Sequence, residues 1–164
     1  MTQRDRLYHV ICDIKFAAIY GVLYANRLST INAVVETTII FLMSSAVGTV
    51  WLWKGHERAF SLLMVAVSFV QLLVSRLGLG SKSERVRIAS NLLHGLYDEA
   101  RVSWFRLDHP ETDDQAYGEC AATLEEKERQ YVSIADDVVR NVPALVNVSA
   151  DRMCEQVEAD FGCR

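Results

Sequence analysis

TTIIFLMSSAVGTVWLW, Thr37 to Trp53, and AFSLLMVAVSFVQLLVS, Ala59 to Ser75, decide the fold of this chain. Neither run contains a charge, and only Lys54-Gly55-His56-Glu57-Arg58 separates them. Each has 17 residues, which at about 1.5 Å rise per residue makes roughly 25 Å of helix, near the lower limit for crossing a bilayer core. The boundaries strengthen a membrane-hairpin reading. Trp51 and Trp53 close the first run as an interfacial belt would, and Arg58 and Arg76 bracket the second. From Leu28 to Trp53 the only charge is Glu36, so the first helix has further apolar residues with which to absorb tilt. The rival reading is a soluble protein with two central helices buried on every side. Buried apolar segments usually run about 10 to 14 residues before a polar face intervenes, and two successive runs here lack one. A signal peptide is a weaker rival, because the first run starts late and no small-residue cleavage site precedes a polar mature chain.

Upstream, residues 1–33 read as an amphipathic helix. Thr2-x-x-Asp5 is a loose capping box, and Leu7, Ile11, Ile14, Ala18, Val22 and Ala25 recur at helical spacing. The opposite side holds Arg6, His9, Asp13, Tyr20, Tyr24 and Arg27, with tyrosines that suit a lipid interface. Gly21 makes a modest bend available. This helix either lies on the inner leaflet or packs on cytoplasmic helices. Leu28-Ser29-Thr30 contains no strong breaker, so the spanning helix can grow directly out of it.

Within the hairpin, residues 34–76, small and polar side chains follow a pattern. Thr38, Ser45, Gly48 and Thr49 cluster on one side of the first run, with Ser44-x-x-x-Gly48 and Ser45-x-x-x-Thr49 as small-x-x-x-small pairs. In the second run Ser61, Met64, Ser68, Gln71 and Ser75 recur at three- and four-residue intervals. This polar seam has two explanations: interhelical hydrogen bonding, since hydrocarbon offers Gln71 no partner, or a water-facing pore lining. Two helices enclose no channel, so conduction requires several copies in a ring.

Downstream, Arg76-Leu-Gly-Leu-Gly80 breaks the helix and makes Gly78 and Gly80 a hinge. Residues 81–164 then form an all-α module. Ser81-x-x-Glu84 predicts a capping box for a helix reaching about Arg106, with Val86, Ala89, Leu93, Leu96, Ala100 and Trp104 as its stripe. His94 and Asp98 are one turn apart, a spacing more often a surface hydrogen bond than a metal site. Asp108 to Asp114 is a turn, and Thr112-x-x-Gln115 predicts another capping box. It opens a long helix with Tyr117, Ala121, Leu124, Tyr131, Ala135, Val138 and Val142 on its face, interrupted by Glu128 and broken at Asn141-Val-Pro143. A last helix, near Ala150 to Phe161, follows Ser149 as N-cap and stops at Gly162.

Charge divides the chain. Residues 1–80 carry seven Lys/Arg against four Asp/Glu, and residues 81–164 ten against seventeen. Basic flanks suit anionic lipids, and the acidic distal part argues against direct nucleic-acid binding. Arg4, Arg6, Lys15, Arg27, Arg76, Lys82, Arg85 and Arg87 outnumber Lys54 and Arg58 in the turn, which places both termini in the cytoplasm by the positive-inside bias. Cys12, Cys120, Cys154 and Cys163 are too scattered for a metal knuckle, and that compartment favours reduced thiols. No phosphate-binding glycine loop, dinucleotide fingerprint, zinc-protease motif or nucleophile elbow occurs. The sequence therefore predicts no enzyme, cofactor or metal site, and puts function in the membrane or in binding.

The order of an amphipathic helix, the Leu28–Trp53 and Ala59–Ser75 hairpin joined by Lys54–Arg58, a glycine-rich exit and a helical module resembles the SLATT family of two-transmembrane effectors. These are associated with SMODS nucleotidyltransferases and SLOG sensors. The resemblance rests on architecture over most of the chain and transfers no catalytic residue. It implies an oligomeric bacterial defence effector of the inner membrane that forms pores or disrupts the bilayer when a nucleotide-signalling or other partner senses infection. The alternative is an anchor or adaptor that recruits a partner through its acidic helices; a holin-like lysis protein fits less well with so large a cytoplasmic part.

Overall fold

The computed structural model describes residues 2–48, 57–109 and 113–162, and the side chains of all of these except 45–48, 57 and 59. Among the described residues the chain forms five helices and no strand: α1 (Gln3–Gly48), α2 (Glu57–Leu77), α3 (Leu79–Leu107), α4 (Asp114–Ser133) and α5 (Pro143–Phe161). The all-α expectation holds. The helices divide into two compact units, Met1–Ala25 with Glu84–Arg164, and Asn26–Ser83.

In the first unit, the three-and-four spacing of apolar residues gives each helix one face to bury. Leu7, Ile11, Ile14 and Ala18 of α1 meet Leu93, Leu96, Tyr97 and Ala100 of α3 and Tyr117, Ala121 and Leu124 of α4, with Trp104, Tyr131 and Phe161 packed at the edge. Full burial of a Leu or Ile side chain contributes about 1.5–3 kcal/mol relative to exposure. The N-terminal half of α1 is thus a core helix of this unit, which decides between the two places open to it. Its start is fixed by the Thr2-Asp5 box: Thr2 N–H donates to Asp5 Oδ2 at 2.9 Å and Asp5 N–H to Thr2 Oγ1 at 3.1 Å. These bonds hold the Asp5 carboxyl below its usual range.

Tyr20 and Tyr24 depart from the interfacial role expected of them. Both are buried. The Tyr24 hydroxyl donates to the Val138 carbonyl at 3.0 Å; that of Tyr20 donates to the Arg140 carbonyl and accepts from Val142 N–H. They satisfy the backbone of the irregular segment between α4 and α5, whose polar groups lack helical partners there.

Three helix starts also differ from expectation. α3 begins at Leu79, and Ser81 closes no capping box; its hydroxyl donates to the Gly78 carbonyl at 2.8 Å. The α4 cap is Asp113, whose carboxylate accepts from Gln115 N–H, while Pro110 and Thr112 lie outside the described residues. α4 stops at Ser133, well short of Asn141, and α5 starts at Pro143 rather than near Ala150. Proline suits the first helical position, and Val142 before it is extended, as a residue preceding proline prefers. Ser149 is therefore inside a helix, fully buried, donating to the Leu145 carbonyl. The end at Gly162 is as expected, with φ +70° and its N–H on the Glu158 carbonyl.

In the second unit the balance of burial reverses. Among its described residues only Ile39 and Val67 are buried hydrophobics, whereas Phe41 is 71% exposed and Leu62 72%. Gly78, at φ +57°, is the single residue between α2 and α3. Its N–H closes α2 by donating to the Val74 carbonyl, and its own carbonyl accepts from the Lys82 N–H in the first turn of α3.

Candidate functional site

Among the described residues two helices are long and apolar enough to cross a membrane, and they are not equivalent. The qualifying 18-residue stretch at the N-terminal end is 56% buried. That is the burial of the α1 half that enters the first unit's core; between Asn26 and Ser44 only Ile39 is buried. The stretch beginning at Phe60 is 6% buried and has a mean hydropathy of 2.0. α2 thus presents an apolar surface that its own chain does not cover. Monomeric soluble proteins rarely show contiguous apolar surface on this scale, and such surface marks a lipid or protein partner.

On α2 the uncovered side carries Leu62, Val65, Phe69 and Leu72, and the covered side is the stripe Phe60, Met64, Val67 and Val74. With about 100° per residue, the seam Ser61, Ser68, Gln71 and Ser75 centres roughly 70° from the covered stripe. It lies on the flank of the α1–α2 contact and is exposed along its length. Intramolecular packing therefore leaves Ser68, Gln71 and Ser75 accessible to another chain or to water. Thr38, also exposed, donates its hydroxyl to the Val34 carbonyl of its own helix at 2.7 Å. This is the local satisfaction expected of a threonine in an apolar setting.

The lower end of the seam opens on a cleft of about 440 Å³. Gln71 and Ser75 of α2 face Asn32 and Glu36 of α1 across it, with Gly78, Leu79 and Gly80 at its margin. Asn32 Nδ2 donates to Glu36 Oε1 at 2.9 Å. Sequence reasoning noticed Glu36 only as an isolated charge; the i, i+4 spacing of Asn32 was the available signal for their pairing. Of the two glycines assigned to the hinge, Gly78 has the left-handed backbone and Gly80 is helical. A Cβ at Gly80 would meet nothing nearer than Asn32 Nδ2, at 4.0 Å. Arg58 and Arg76 are exposed on α2, Arg76 in its last turn. Trp51, Trp53 and Thr49 lie outside the described residues, as does the side chain of Ser45.

A second polar group, inside the first unit, was missed from the sequence. Lys15 is buried on the core side of α1 with its Nζ 4.0 Å from the Tyr97 ring centroid. The Tyr97 hydroxyl donates to Asp160 Oδ2 at 2.7 Å, and Arg101 Nη1 pairs with Asp160 Oδ1 at 3.2 Å. Burial, partly offset by Asp160 and Asp98, lowers the Lys15 ammonium from its usual value, and burial with the Asp160 bond raises the Tyr97 phenol. His94 is lowered by burial and then by Lys15, against the opposing pull of Asp98. These groups lock α1, α3 and α5 together. Among the described residues no three His, Cys, Asp or Glu side chains gather as a metal site, and Cys12, Cys120 and Cys154 are free thiols. No protein-family model, curated protein or solved structure matches the chain.

Proposed function

We propose that the chain is an oligomeric membrane effector. Its Asn26–Ser83 unit inserts as a two-span hairpin with both termini cytoplasmic, and several copies assemble to permeabilise the inner membrane. The observation that supports this most is the surface of α2, apolar and uncovered on one side with an exposed polar stripe on the flank of its contact with α1. Lipid would cover the first, and neighbouring copies or water would take the second. The helical first unit would act as the control module, and the architectural resemblance to SLATT effectors makes anti-phage defence with a nucleotide-signalling or other partner the setting.

The adaptor reading, with acidic helices as a docking surface, draws less support. Glu99, Glu125, Asp137 and Asp160 are engaged by Lys127, Arg6, Arg85 and Arg101 of the same chain. The test is reconstitution of the full chain into phosphatidylethanolamine and phosphatidylglycerol vesicles loaded with KCl. Ion leak that rises steeply with protein density is expected. It should fall when Ser61, Ser68, Gln71 and Ser75 are replaced together by Leu or Ala, at unchanged membrane incorporation. Vesicles that hold their gradient with the inserted wild type would sink the pore.

A further inference from the structure

The cleft between Asn32, Glu36, Gln71 and Ser75 combines features that an interhelical contact alone does not require. It is open rather than packed, at about 440 Å³, and every polar side chain lining it bears oxygen. Asn32 occupies Glu36 Oε1, and Glu36 Oε2 accepts no hydrogen bond among the described residues. Glu36 is also the only charge from Leu28 to Trp53. An ionisable residue in a spanning segment is costly unless it faces a partner or water, and it marks ion paths. We infer that this cleft is the cation-selecting element of the assembly, a reading that rests on the pore proposed above.

The chemistry follows from the donor set. A K⁺ or Na⁺ ion entering the cleft exchanges part of its hydration shell for hard oxygens, the free Glu36 carboxylate oxygen first, then the carboxamide oxygens of Asn32 and Gln71 and the Ser75 hydroxyl. Asn32 holds the carboxylate from the side, so its charge stays directed at the cleft. In a ring of copies the carboxylates form a charged girdle that attracts cations and excludes chloride. The seam above it, at Ser68, supplies a neutral hydroxyl that binds weakly enough to let the ion pass.

Vesicles with a tenfold KCl gradient report selectivity as the sign of the diffusion potential. The wild type should develop the sign set by K⁺ flow. Glu36→Gln should lower the K⁺ over Cl⁻ permeability ratio roughly fivefold, the scale of one unit charge in aqueous surroundings. Glu36→Lys should reverse the sign, and adding Gln71→Glu to Glu36→Gln should restore K⁺ preference from the facing helix. That restoration separates charge in the cleft from a merely structural role for Glu36. A conducting wild type without K⁺ preference, a Glu36→Lys protein that keeps it, or a double variant that fails to regain it overturns this inference and leaves the pore standing. A non-conducting wild type overturns both.

Discussion

Gly21 of α1 faces Ser90 of α3 so closely that a methyl group on Gly21 would stand 3.0 Å from Ser90 Cβ and 3.2 Å from its Oγ. Ser90 cannot turn aside cheaply: it is fully buried and its hydroxyl donates to the Ala18 carbonyl at 2.6 Å. The obstructing Cβ is in any case fixed to the α3 backbone. Gly21→Ala gains about 1 kcal/mol of helix propensity, but overpacking at a rigid contact costs about 1–3 kcal/mol. The expected outcome is a net loss on the order of 1 kcal/mol in urea unfolding of the first unit's signal. In a Ser90→Gly background the same substitution should cease to destabilise, because the two positions are coupled. Additive effects would show that the helices are not in this contact.

The glycines flanking Leu79 should respond oppositely to alanine. Gly78 has φ +57°, where an L-residue costs about 1–2 kcal/mol. Gly80 is helical, and its nearest neighbour for an added Cβ is at an ordinary contact distance of 4.0 Å. Gly78→Ala should therefore lower the melting temperature, and Gly80→Ala should leave it unchanged or raise it by the equivalent of up to about 1 kcal/mol. If Gly78→Ala is harmless, the α2–α3 junction does not have the left-handed geometry described.

Glu128 makes stability depend on pH in an unusual direction. Burial, then Asp13 and Glu125, raises its carboxyl above the usual range, with Arg129 opposing. The folded chain thus holds this proton to higher pH than the unfolded chain does. Below the unfolded value, about 4.3, the group has no effect; as pH rises through the folded value a destabilising contribution grows and then stays constant. Glu128→Gln should therefore be more stable than the wild type at pH 7 and equal to it at pH 3.5. A stability difference that persists at pH 3.5 would mean the carboxylate charge is not its cause.

Legibility followed the kind of signal. The core faces of α1, α3 and α4 were readable because Leu7, Ile11, Ile14, Leu93, Leu96 and Leu124 repeat at helical spacing and a soluble core uses that spacing directly. Boundaries set by competing local chemistry were not. Ser149 satisfies the pattern for an N-cap, but Pro143 nucleates the helix earlier, and only tertiary burial shows that Ser149 is interior. Tyr20 and Tyr24 look interfacial in sequence because a phenol suits both lipid headgroups and a buried backbone carbonyl; the segment that supplies those carbonyls is more than 110 positions away. The cleft at Glu36 was half visible, since a lone charge is conspicuous, whereas Gln71 and Ser75 reach it only through the approach of α2.

Exposed apolar residues occur in both units, and the membrane reading requires that they behave differently. Phe69 is 60% exposed and Leu62, two turns earlier on the same face of α2, 72%; Val102 in α3 is 50% exposed. A central arginine in a spanning helix costs about 2.5–3.5 kcal/mol on the insertion scale. Leu62→Arg with Phe69→Arg therefore imposes roughly twice that, beyond what 21 residues of α2 recover by tilting or snorkelling. The double variant should leave the alkali-resistant membrane fraction and appear as soluble or aggregated protein. Val102→Arg, an equal chemical change on a helix whose other face is a protein core, should fractionate as the wild type does. Retention of the double variant in alkali-washed membranes would place the uncovered face of α2 against protein rather than lipid.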